Sequence, residues 1–209
     1  MSKITLFLLF IGIFGQLSAQ NISYKKYEYV GTGASQHYQY LPMLAGKHIG
    51  VVTNHTAIIQ KIVHQKDSTI TVQNEHLVDF LLSKKVKIDK VFAPEHGFRG
   101  TADAGEVIKD GVDTKTKLPI VSLYGKNKKP TAEQLKGIEV MLFDLQDVGV
   151  RFYTYISTLH YVMEACAENY IPLVILDRPN PNGHFMDGPV LEPAYKSFIG
   201  MHPVPVVYG

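Results

Sequence analysis

The chain has 209 residues, 45% hydrophobic and 19% charged, with a net charge of +2. That length supports one domain with a sizeable core and is short for two, and the composition excludes a disordered chain. The small net charge gives no sign of nucleic acid as a partner.

The N-terminus has the pattern of an export signal. Lys3 supplies a positive charge, Ile4 to Phe14 form an apolar run too short to span a bilayer, and Leu17-Ser18-Ala19 precede Gln20. Residues 1–19 are therefore expected to be a signal peptide cleaved after Ala19. The mature protein is expected in the periplasm or outside the cell, without a stable membrane anchor. Cys166 is the one cysteine, so no internal disulfide is possible. It is read as a small buried hydrophobe on a helix.

Residues 20–45 carry Tyr24, Tyr27, Tyr29, Tyr38 and Tyr40 without a clear period and are read as an arm packed on the domain. The domain proper is placed at 46–209. Its first strand runs from Gly46 to Thr53 and ends at Asn54-His55-Thr56. A helix is expected over Asn74 to Lys85, with Leu77, Phe80 and Leu81 on one face. A second strand, Val86 to Ala93, stops at Pro94, which fixes its own φ and disfavours helix at Ala93. The loop Pro94-Glu95-His96-Gly97-Phe98-Arg99-Gly100 follows. Residues 101–117 are loop-like.

Leu118 to Leu123 form the third strand, closed by Tyr124-Gly125. Thr131 caps a short helix, Ala132 to Lys136, with Gln134 at the capping-box position and Gly137 ending it. Ile138 to Phe143 form the fourth strand, ending at Asp144-Leu145-Gln146-Asp147. A long helix follows over Tyr153 to Asn169, with Ile156, Leu159, Met163, Cys166 and Ala167 as its apolar stripe. Ile171 to Leu176 form the fifth strand, before the turn-rich Asp177-Arg178-Pro179-Asn180.

Alternating strands and helices, with near-continuous apolar strands, imply an α/β fold: an open, mostly parallel sheet with helices on both faces. Ligands bind such sheets beyond the carboxyl ends of the strands. There the sequence gathers Asn54 and His55, then Glu95, His96 and Arg99, then Tyr124. Asp144, Gln146, Asp147 and Arg151 follow, with Asp177, Arg178 and Asn180 last. The three arginines, Arg99, Arg151 and Arg178, all lie in these loops, against 18 lysines elsewhere. The planar guanidinium suits carboxylates and phosphates, so anion recognition or fixed loop carboxylates are expected.

No G-x-G-x-x-G follows the first strand, so no dinucleotide cofactor is expected. Ser122 and Ser157 lack a nucleophile elbow. His55, His96 and His160 show no metal-ligand spacing, so no metal is expected, although a metal-dependent hydrolase is one alternative. With Tyr and Phe as the flat rings available, the rim suits a hydrolase acting on a polar substrate. Glycoside hydrolysis needs a carboxylic acid at the leaving oxygen, and Glu95 is the best candidate. Asp144 and Asp147 are candidates to orient it, act as a base or bind hydroxyls.

These segments resemble a known family. Asn54-His55-Thr56, Phe92 to Gly100, Ser122 to Gly125, Phe143 to Tyr155 and Leu176 to Pro181 look like motifs of the exo-β-N-acetylmuramidases of the NamZ type. The resemblance runs from about Gly46 to the C-terminus. It implies release of N-acetylmuramic acid from the non-reducing end of peptidoglycan fragments. It also implies a Rossmann-like domain followed by a smaller C-terminal one, with the catalytic site in the cleft between them and Glu95 as the leading catalytic residue. By chemistry, His96 and Asp144 are assigned beside Glu95. Asn54, Arg99, Tyr124, Gln146, Asp147, Arg151, Tyr153, Tyr155, Asp177 and Arg178 are assigned to substrate. Muropeptides or disaccharides are the expected partners. Family members continue well beyond Gly209, so the sequence is read as truncated within the fold. A non-catalytic muropeptide-binding protein is the other alternative.

Overall fold

The computed structural model describes residues 31–64, 70–100 and 109–209. The signal-like segment, Tyr24, Tyr27, Tyr29 and residues 101–108 of the loop after Gly100 lie outside these residues.

The central sheet is built from strands β1 (His48–Thr53), β4 (Lys87–Ala93), β6 (Pro119–Ser122), β7 (Val140–Asp144) and β8 (Leu173–Ile175). All are parallel, in the order β6-β4-β1-β7-β8, and β5 (Gly111–Val112) adds an antiparallel edge beside β6. This is the open, mostly parallel sheet the alternation predicts, and it is Rossmann-like, as the resemblance implies. From β1 the chain moves outward through β4 and β6, then returns to the other side of β1 for β7 and β8. The topological switch therefore lies between β1 and β7, where such sheets open a crevice at the carboxyl ends of their strands.

Side-chain alternation divides the core. Ile49, Val51, Val91, Val140 and Leu142 face one side of the sheet. They meet helix α1 (His37–Leu44), through Tyr40 and Leu44, and helix α2 (Leu77–Ser83), through Leu77, Val78, Phe80 and Leu81. Val52, Phe92, Met141 and Phe143 face the other side. They meet the short helix α3 (Ala132–Leu135) and the long helix α4 (Tyr155–Glu168), through Leu135, Val162, Ala165 and Cys166. Gly50 lies on this second face beside Met141. A Cβ there would come within 3.0 Å of the Met141 side chain and the Phe92 ring. Absence of a side chain lets those two large residues close over the strand.

Three local readings change. Residues 74–76, expected in a helix, belong to β3 (Ile70–His76), which pairs antiparallel with β2 (Ile58–His64). The helix begins only at Leu77, where the His76 side chain accepts from the Val78 N–H. Helix α4 has the expected period but a shifted phase. Its buried face is Tyr155, Thr158, Val162, Ala165 and Cys166, while Met163 is exposed. Part of the 101–117 loop becomes β5. The capping box of Thr131 and Gln134 forms as expected. After β8 the chain folds into a small antiparallel pair, β9 (Met186–Asp187) with β10 (Val207–Tyr208). Among the described residues, no helix is long and apolar enough to cross a membrane.

Candidate active site

Glu95 stands one residue beyond Pro94, at the carboxyl end of β4, and is half-buried. Tyr124, just past β6, donates from its hydroxyl to Glu95 Oε1 at 3.0 Å. Thr154, the residue before α4, donates from Oγ1 to Oε2 at 3.1 Å. Burial, with the hydrogen bond to Glu95, raises the Tyr124 phenol, so it remains a donor at neutral pH. Three segments far apart in sequence thus meet on one carboxylate. The loop below is tightly wound. His96, Gly97 and Gly100 all have positive φ, at 69°, 71° and 70°. A Cβ on Gly100 would lie 2.6 Å from the His55 ring, so only glycine fits there. His96, a non-glycine residue in the left-handed region, is held in a sparsely populated conformation beside the candidate acid.

Asn54 is fully buried at the end of β1. Its Oδ1 accepts from the Thr56 N–H at 2.9 Å and the Thr56 hydroxyl at 2.6 Å, and its Nδ2 donates to the Tyr155 hydroxyl at 2.9 Å. Burial pushes the Tyr155 phenol up to about 12. The Gln146 N–H donates to Thr56 Oγ1 at 3.1 Å, and Gln146 Nε2 donates to the carbonyls of Asp147 and Pro179. These bonds knit the loops after β1 and β7 across the switch point. Asn54 and Gln146, assigned above to substrate, spend these groups on loop architecture.

Asp144 is placed differently from the catalytic role expected of it. It is buried, and Arg178 grips both oxygens, with Nε to Oδ1 at 2.6 Å and Nη2 to Oδ2 at 3.0 Å. The Arg178 side chain is 5% exposed and its Nη2 also donates to the Ile58 carbonyl. Burial raises the Asp144 carboxyl, and the guanidinium opposes that shift. The pair ties β7 to the loop after β8 and to β2, and it leaves Asp144 no surface to offer a substrate.

Arg99, assigned above to substrate, takes the other role expected of the arginines, that of fixing carboxylates. It bridges Asp113, at 3.2 Å and 2.9 Å, and Asp79 on α2, at 3.3 Å and 3.2 Å, and its guanidinium lies 4.1 Å from the centre of the Phe98 ring. The Arg99 hydrogen bonds hold the Asp113 carboxyl well below the usual carboxylate range. This arginine anchors the Glu95 loop from behind. Asp79 is twenty positions upstream and on a helix, so nothing in the loop's own sequence announced it.

Arg151 donates to the carbonyls of Pro189 and Val204 at 3.0 Å and 2.7 Å and makes no ion pair among the described residues. Tyr153 and its neighbour Phe152 are exposed, at 49% and 59%. Asp177 is exposed, and its Oδ1 accepts from the Arg178 N–H at 2.9 Å. Asp147 Oδ2 accepts from the Gly149 N–H at 3.0 Å and from the Tyr208 hydroxyl. Thr154, Thr56 and Tyr208 are site residues the sequence reading did not single out. Thr154 had a signal, a hydroxyl at a helix start between two tyrosines. Tyr208 had none, because it arrives only through β10. Among the described residues, no three His, Cys, Asp or Glu side chains gather as metal ligands would.

Comparison with known proteins follows the same residues. The family model described as exo-β-N-acetylmuramidase NamZ, N-terminal, matches residues 49–209. A peptidoglycan β-N-acetylmuramidase NamZ from Bacillus subtilis (strain 168) is 46% identical over 171 residues, which are 81% of this chain and 39% of that protein. Two crystal structures of DUF1343 family proteins from Bacteroides fragilis share the fold. One has a TM-score of 0.71 at 40% identity over 87% of this chain and 44% of its own. The other has a TM-score of 0.70 at 37% identity over 86% and 42%. The chain spans less than half the length of each of these relatives. On this match, which includes the loops built around Asn54, Glu95, Tyr124 and Asp144, the chain belongs to the NamZ exo-β-N-acetylmuramidase family and corresponds to its N-terminal domain.

Proposed function

We propose that this domain carries the general acid/base of an exo-acting glycosidase, which releases N-acetylmuramic acid from the non-reducing end of peptidoglycan fragments, with Glu95 as that residue. One observation carries the reading. Glu95 sits at the carboxyl rim of the sheet, near the switch point, with a hydroxyl on each of its oxygens. A hydroxyl donates to a carboxylate and accepts from a carboxylic acid, so the pair supports either protonation state. A general acid that must give up and regain a proton in each cycle needs such partners. A guanidinium would hold one state.

Three further features support the substrate class. Arg151 leaves a cation at the rim for the lactyl carboxylate. Phe152 and Tyr153 present exposed rings suited to a sugar face. The signal-like N-terminus supports export to the compartment where peptidoglycan fragments occur.

The test uses this chain and the natural polypeptide that contains it, each with and without Glu95→Gln, on a chromogenic β-N-acetylmuramide. The expected result is turnover by the natural polypeptide and a loss of at least about a hundredfold in kcat with Glu95→Gln, the scale of a general acid. Binding of muropeptides without turnover would favour a non-catalytic binding protein. Turnover abolished by a chelator would favour a metal-dependent hydrolase. An undiminished mutant would move the acid to another residue.

A further inference from the structure

His76 ends β3 and stands buried in front of α2, with φ −69° and ψ 139°. Its Nδ1 accepts from the Val78 N–H at 3.2 Å, and its Nε2 meets the Asn54 carbonyl at 2.8 Å. A backbone N–H only donates and a carbonyl only accepts. The two partners together therefore fix one neutral tautomer, with the proton on Nε2. Burial holds the imidazole below its usual range; the Asn54 carbonyl and Asp79 oppose that shift, and Arg99 and Lys115 add to it. The Nε2–H form is the one present at neutral pH.

Capping alone does not call for a histidine. Ser, Thr, Asp and Asn are the side chains that best satisfy a helix N-terminus. The imidazole adds a second nitrogen and an aromatic ring, and each reaches a different loop of the rim. The nitrogen holds the Asn54 carbonyl, in the loop after β1, which the Leu77 N–H also holds through the Ala57 carbonyl at 2.8 Å. The ring packs on the buried Phe98 of the Glu95 loop, with centres 5.2 Å apart and planes at 82°.

We propose that His76 is a positioning residue for the candidate active site, fixing the hydrogen bond between Glu95 and Thr154 from both ends. One route runs through Asn54. Its carbonyl is held by His76, its Nδ2 donates to the Tyr155 hydroxyl, and Tyr155 opens α4 directly after Thr154. The other route runs through Phe98, in the loop that carries Glu95 and is wound by the positive φ of His96, Gly97 and Gly100. The routes converge where Thr154 Oγ1 meets Glu95 Oε2 at 3.1 Å. The inference rests on the muramidase reading and goes beyond it by assigning a residue that acts through its neighbours.

Two substitutions separate this role from capping. In His76→Asn the side-chain oxygen replaces Nδ1 as the cap of α2, and the shorter side chain releases the Asn54 carbonyl. In His76→Gln the side-chain nitrogen replaces Nε2 as the donor to that carbonyl, and the cap is lost. Both are made in the natural polypeptide and read by urea denaturation and by kcat and KM on the chromogenic β-N-acetylmuramide. His76→Asn should have the higher urea midpoint of the two and yet the lower kcat. Its kcat should fall about tenfold or more from wild type with KM within about twofold, the signature of a displaced reacting group. His76→Gln should turn over at least about threefold faster than His76→Asn. If His76→Asn does not fold, Phe98→Leu, which removes the second route and leaves both His76 hydrogen bonds, should show the same fall in kcat at constant KM. A kcat that follows the urea midpoint in the two His76 variants, or wild-type kcat in His76→Asn or Phe98→Leu, makes His76 a cap alone and leaves the muramidase reading standing. If the wild-type polypeptide does not turn the muramide over, that reading falls and the positioning role with it.

Discussion

Glu95 and Asp144 stand at the ends of two parallel strands of one sheet, separated by β1. Both are acidic residues just past an apolar run, and locally they look alike. Asp144 is fully buried and gripped by a buried arginine on both oxygens. Glu95 is half-buried and receives a neutral hydroxyl on each oxygen. The contrast teaches that partner chemistry separates an architectural carboxylate from one suited to proton transfer. A bidentate guanidinium fixes both charge and position, while hydroxyls fix position and follow the charge.

That contrast breaks most visibly at Asp144. Removing one member of a buried ion pair leaves an uncompensated charge, so Asp144→Asn should destabilise the fold by about 3–5 kcal/mol. Asp144→Leu with Arg178→Met should recover most of it, as measured by urea denaturation. If Asp144→Asn kept its stability and lost only activity, Asp144 would belong with the chemistry and the distinction would fail.

The next effect is smaller and depends on pH. Arg99 holds Asp113 ionised well below the usual range. Burial raises the Asp79 carboxyl, yet Arg99 and Lys115 together bring it below its ordinary value. Both groups bind fewer protons folded than unfolded, so their contribution is complete above the ordinary carboxylate pKa near 4 and is lost as pH falls toward the depressed folded values. Denaturation curves from pH 6 to pH 2.5 should show this loss, and Arg99→Met should flatten it by about 2 kcal/mol. An unchanged acid limb in Arg99→Met would mean that the clamp contributes nothing to folding.

The smallest stability effects sharpen the Glu95 side. Tyr124→Phe and Thr154→Val each remove one hydroxyl and should each cost only about 1 kcal/mol in stability. Each should lower kcat by about tenfold with KM nearly constant, because the lost contact acts on the proton-transfer group. A rise in KM with kcat intact would make these hydroxyls substrate ligands.

Sequence by itself determined much of the frame. Near-continuous apolar runs, broken by Pro94 and by polar clusters, located the five parallel strands, because a strand covered on both faces has to be apolar throughout. The capping box at Thr131 was legible because its two partners are three residues apart. The rim residues were legible because every parallel strand delivers its following loop to the same edge. Tertiary structure alone decided the rest. Residues 74–76 became strand because a partner strand from Ile58 to His64 was there to pair with them. The phase of α4 was set by which of its side chains pack with Phe92, Met141 and Phe143 of the sheet. The roles of Glu95, Asp144, Arg99 and Asp147 were set by partners 14 to 61 positions away. A carboxylate's chemistry depends on burial and on what donates to it, and both arise only when distant segments fold together.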